Sequence, residues 1–355
     1  DGGPYVWARL AFGSRVAFLI GWLTYASALF SAATVATGLA EALVKLFPHY
    51  IGGTKGLAIT CVLSLSLAVA SGLRLSAIAW STVTVLKLTP LIVLTLAAAY
   101  AALTGHAPSL VTHEHSDVRN VGRALLTVVF ALQGFEVVPV LAGSTRAQRA
   151  VPWATIGALV MCTLFYFVLH AICVYALPDL AHEPQPLTAA AHVYAGAGIA
   201  GLVAMGQIVS ALGIAFGQYA ITPRYLSALG RPDALGAAIG KEDARRVPLL
   251  ALGITTFGVL VFVLREDLSG LFALSSIAVL AQYAVATLAL AVLAHRGHHG
   301  VSQKEMAWAL PALLGIALVA GGAEWKELIT TAIVTVLGGL LLFASQRLRA
   351  RGQTA

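Results

Sequence analysis

Apolar residues arrive here in ten blocks, each close to the length that crosses a lipid bilayer. About 20 apolar residues span the hydrocarbon core, and the blocks run over 16–44, 56–73, 77–101, 123–144, 152–177, 198–226, 248–264, 268–294, 307–322 and 327–346. Inside lipid a backbone must satisfy its own hydrogen bonds, so blocks of this length are helices. Only 10% of the 355 residues are charged, against roughly a quarter in a soluble domain. The expected class is an all-α polytopic membrane protein. The formal net charge of +7 therefore sets orientation and is no sign of nucleic-acid binding. Alternate links carry fifteen Lys and Arg on one side and six on the other, with Lys87 inside a span. The richer side is expected in the cytoplasm. With ten spans, both ends of the chain are then cytoplasmic.

The fourth block departs from a plain span. It reads TVVFALQGFEVVPVLAGS over Thr127–Ser144, with Gln133, Gly134, Phe135 and Glu136 at its centre and Pro139 beyond. Glycine weakens a helix, and proline removes a backbone donor. Interrupted backbone at bilayer depth survives only where protein or a polar cavity meets its freed groups. A broken helix with polar side chains at the midplane is how secondary carriers build a substrate site. Transport is the expectation on these residues alone.

Two charged residues lie deep in the spans, Lys87 and Glu136. Lys87 is at least ten residues from either end of its block, roughly 15 Å or more at the helical rise. That is too deep for its stem to reach water by snorkelling, so it is expected to face the bundle interior. It serves either as a structural ion-pair partner or as a lysine that releases and rebinds a proton during a cycle. Glu136 has the same two alternatives, a structural partner or a coupling carboxylate. Gln133 either contacts ligand or bridges helices. Tyr25 is a candidate cavity residue. Small residues such as Ser27, Ala28, Ser31, Ala32 and Ala33, and Gly206, Ser210, Gly213 and Gly217, read as close helix packing. The last set also brackets Phe216, which is placed to line a cavity.

Other chemistries find little support. Cys61, Cys162 and Cys173 sit in apolar runs and outline no disulfide framework or zinc site. His113, Glu114 and His115 lack helical ligand spacing and read as a solvated loop, so no metal and no cofactor are expected. An enzyme would need paired acids or an activated nucleophile at depth, and Glu136 is the single deep acid. A membrane sensor using the same cavity is the other class open to these residues.

Four stretches carry a resemblance. They are GGPYVWARLAFG at 2–13, FALQGFEVVPVLAGSTRAQRAVPWATIGAL at 130–159, PRYLSALGRPDALG at 223–236 and FALSSIAVLAQYAVATLAL at 272–290. Their order and spacing resemble the amino acid–polyamine–organocation superfamily, specifically bacterial amino acid permeases. The resemblance implies the leucine-transporter fold, two inverted five-helix repeats with two trailing helices. Residues 1–101 then end the first repeat (spans 3–5). Residues 123–294 form the second (spans 6–10), and 307–346 are spans 11 and 12. Because the chain opens Asp1-Gly2-Gly3-Pro4, the first two spans and the true N-terminus are expected to be missing, and with them half of the family's site. A piece of a permease inactive by itself is a further expectation.

By resemblance, Phe130, Ala131, Gln133 and Gly134 line the substrate cavity on the broken span. Glu136 follows the unwound turn. Gly21 and Tyr25 fall on the third-span cavity face, Phe216 near the eighth-span aromatic position, and Ser275 and Ser276 on the tenth span. Lys87 matches a fifth-span lysine of proton-coupled and exchanging members. The implied activity is secondary transport of an amino acid, taken as neutral, coupled to protons or to exchange, in a bacterial cytoplasmic membrane. Its expected partners are the amino acid, protons and the bilayer.

Overall fold

The computed structural model describes residues 3–44, 46–47, 49–73, 77–105, 118–135, 151–230, 235–297 and 303–352. Glu136, Pro139 and the histidines of 106–115 lie outside the described residues.

Each apolar block contributes a helix among the described residues. After the short α1 (Gly3–Phe12), these helices are α2 (Ser14–Val44), α3 (Gly53–Ala70), α4 (Ala77–Leu103), α5 (Val118–Leu132), α6 (Val151–Ala176), α7 (Pro186–Ala228), α8 (Leu249–Arg265), α9 (Leu268–His295), α10 (Ala309–Ala320) and α11 (Trp325–Gly352). Seven of them are long and apolar enough to cross a membrane alone. The shorter three are α5, α8 and α10, with 15, 17 and 12 residues. No strand occurs among the described residues. The protein is an all-α polytopic membrane protein. The segment Pro186–Ala228 holds an amphipathic turn and a span, divided at Gly196, whose φ of +77° is a conformation that a Cβ would strain.

α2 is the centre. It packs on α1, α3, α7, α8, α9 and α11 and is mostly buried, whereas α4, α6 and α11 are mostly exposed. Its Ala32, Ala33, Ala36 and Ala40 are almost fully buried, so neighbouring backbones approach closely. The outward faces carry exposed Leu67, Ile78, Leu96, Phe167, Phe257 and Leu318, side chains suited to acyl chains. Since lipid is as apolar as leucine, helix association here depends on fit more than on leaving water.

The α4–α7 contact shows that fit. Trp80, Val83 and Pro90 of α4 lie over Gly217, Gly213 and Gly206 of α7. A Cβ at Gly206 would lie 2.7 Å from Pro90 Cγ, a distance that forces movement. Gly206→Leu should therefore destabilise the protein by about 1–3 kcal/mol through overpacking. Its thermal midpoint in detergent should fall, while Gly201→Leu, at an open position, should change it little.

Candidate functional site

α5 ends at Leu132. The Gln133 N–H closes a tighter turn onto the Phe130 carbonyl at 3.2 Å, and Gly134 follows at φ +114°. That angle lies in the region where only glycine is unstrained, which explains why the helix breaks here.

The break delivers Gln133 to two serines. Ser275 Oγ donates to Gln133 Oε1 at 3.0 Å, and Ser31 Oγ reaches the same oxygen at 3.4 Å. The two hydroxyls lie 2.7 Å apart. Two hydroxyl protons serve three contacts, so the triad is one proton short of full pairing. On its other side, Gln133 Nε2 is buried and has no hydrogen-bond partner among the described residues. A buried donor left unpaired costs about 1–3 kcal/mol. A ligand offering an acceptor there recovers that loss.

α2, α5 and α9 thus meet at one polar point. Ser275 and Ser276 are both fully buried. Ser27, one turn before Ser31, donates to the Ser275 carbonyl at 3.4 Å. Ser276 points the other way and donates to the Leu126 carbonyl at 2.6 Å, tying α9 to α5. Phe130 packs edge-on against Phe272, with ring centres 4.7 Å apart, and Ala131 and Gly134 are exposed beside the break.

Three sequence candidates lie elsewhere. Tyr25 is six residues from Ser31, about 120° around α2. Its hydroxyl is 3.4 Å from Thr255 Oγ1 of α8. Phe216 packs in the same apolar cluster as Tyr25 and lines a cavity of about 170 Å³ with Trp80, Pro223 and Arg224. A Cβ at Gly21 would lie 2.7 Å from Leu229, so Gly21 serves packing. Conversely, Ser31 belongs to the polar triad, although its sequence context reads as small-residue packing. The available signal was Ser27 and Ser31 at i, i+4, two hydroxyls on one face of an apolar helix.

Lys87 is apart from the triad. With Trp80, Val83, Pro90 and Leu94 it falls within about 80° of one helix face, the face laid on α7. It is half-buried and sits level with the stretch between Gly206 and Gly213. Among the described residues no group of three or more His, Cys, Asp or Glu is placed to hold a metal ion.

A family model described as amino acid permease matches residues 1–346. The chain is 25% identical over 322 residues to the cationic amino acid transporter 3, mitochondrial, of Arabidopsis thaliana, covering 82% of this chain and 51% of that protein. It is 24% identical over 278 residues to the arginine/ornithine antiporter of Pseudomonas aeruginosa, covering 74% and 57%. Over 209 residues it is 28% identical to the arginine/agmatine antiporter of Chlamydia caviae, covering 53% and 42%. The chain spans about half the length of the curated relatives it matches.

Proposed function

The chain belongs to the amino acid permease family, and on that premise we propose that it moves an amino acid across a membrane by alternating access. The carrying observation is Gln133 Nε2, buried next to the helix break at Gly134 with no hydrogen-bond partner among the described residues. An amino acid brings carboxylate oxygens, the acceptors that this donor lacks. Phe130, Ala131, Gln133, Gly134, Ser31 and Ser275 form the binding surface in this reading, with Ser276 holding α5 against α9. Gly21, Tyr25 and Phe216 act behind it, in the packing of α2 against α7 and α8.

The substrate in this reading is a neutral amino acid, because the polar groups gathered at the break among the described residues are an amide and two hydroxyls. A cationic substrate is the second reading. It is favoured by Glu136, three residues beyond Gln133, and by relatives named for cationic amino acids and arginine. Lys87, and Glu136 under the first reading, are the coupling groups, giving proton symport or exchange. The halves 1–101 and 123–294 act as inverted repeats, with 307–346 trailing. Within a bacterial cytoplasmic membrane, the excess of fifteen basic residues over six favours an orientation with both ends of this segment inside.

Uptake of a labelled neutral amino acid into proteoliposomes of the full-length protein tests the pair of readings. The neutral reading expects leucine, alanine or serine to compete at least tenfold more strongly than arginine. Arginine competing best would transfer the site to the cationic reading.

A further inference from the structure

We infer that Glu327, on the trailing span α11, positions the broken helix α5 through Arg123 and so sets where Gln133 stands. Glu327 is 3% exposed and pairs with Arg123 of α5. The same guanidinium donates to Ser269 of α9, to its hydroxyl at 3.1 Å and its carbonyl at 3.4 Å. The second Glu327 oxygen accepts the Glu324 N–H at 2.9 Å. One turn region of α10–α11 therefore holds one end of α5 by a charged fork.

Two further contacts brace this region, one on α5 itself and one between the turn and α9. A Cβ at Gly122 would lie 2.8 Å from the Gly322 Cα, so the backbones of α5 and the α10–α11 turn touch beside the ion pair. Lys326 donates to Glu266 at 2.6 Å, fastening that turn to the start of α9. From there α5 meets one patch of α9, through Leu126 to Ser276, Phe130 to Phe272 and Gln133 to Ser275. Phe135 then meets Tyr283, with ring centres 5.4 Å apart. A charge removed at Glu327 would leave Arg123 without its buried partner, and a rigid helix carries that displacement to Gln133. Breaking one side of a buried pair is far costlier than the pair is worth.

α5, α9 and the α10–α11 turn thus move as one unit, and Glu327 is a positioning residue for the site. The consequence for flux rests on the transport reading; the clamp itself does not. Spin labels at exposed Val121 of α5 and Ile329 of α11 read the clamp directly, as a distance distribution in lipid. A single narrow distribution is expected for the otherwise native full-length protein. Glu327→Gln should broaden or displace it, and the exchange Arg123→Glu with Glu327→Arg should narrow it again. Arg123→Lys keeps the charge but loses the fork, and it should broaden the distribution even if Glu327→Gln fails to fold. In uptake, Glu327→Gln should raise the half-saturating substrate concentration at least tenfold, and the exchanged pair should recover to within threefold. A distribution unmoved by the folded single variants would overturn the clamp. A clamp that responds in a protein with no amino acid flux would leave this inference standing and remove the transport reading.

Discussion

Gln133→Leu should abolish saturable uptake, a loss of at least a hundredfold, while leaving the folded protein intact. Leucine matches the side chain in bulk, so α5 can still seat on α9. It removes both the oxygen accepting from Ser31 and Ser275 and the buried Nε2. The two serines retain each other at 2.7 Å, so little is orphaned. A discrimination of that size is about 2.7 kcal/mol, within the range for losing a buried hydrogen bond to a charged group. The control is thermal stability: the midpoint should hold or rise, because an unpaired donor has gone. The ligand-induced rise in the midpoint expected of the native protein should vanish. A variant that binds substrate as before would take Gln133 out of the site.

The second large effect belongs to Lys87. Lys87→Met should uncouple transport, so that uptake at pH 5.5 and pH 7.5 differs by less than twofold, where the native protein should differ at least tenfold. Val83 and Pro90 seat on Gly213 and Gly206, and Lys87 lies between them on that face, about 15 Å along α4 from Ala77. A strongly hydrated ammonium held between two helices favours water or an acceptor over its apolar neighbours. Methionine keeps the length and packing and has no proton to exchange. Exchange of labelled for unlabelled substrate at constant pH should survive the substitution. Uptake that keeps its native pH dependence in Lys87→Met would place the coupling proton elsewhere.

The sequence made the spans legible because lipid allows so few backbone solutions. Several apolar blocks became helices whose limits follow the apolar residues closely, as with 77–101 against Ala77–Leu103 and 248–264 against Leu249–Arg265. The break was also readable, since Gly134 stands where polar residues interrupt an apolar run, and it adopts φ +114°. What could not be read was facing. Gly21, Tyr25 and Ser31 share one helix, and a uniformly apolar span offers no amphipathic stripe to say which side meets which neighbour. α2 touches six other helices, so every side of it is interior. Tyr25 thus turned to Thr255 of α8, while Ser31, read as packing, turned to Gln133. The Arg123–Glu327 pair was hidden for a different reason. Its members are 204 positions apart, and each lies at the end of a span, where charge is ordinary.

The most direct test is a structure of the full-length protein with a saturating amino acid in lipid. The account predicts a substrate oxygen within about 3.2 Å of Gln133 Nε2, with the helix interrupted at Gly134 and Ser275 still on Gln133. A ligand lodged away from α5, or an unbroken helix running through Gly134, would contradict it.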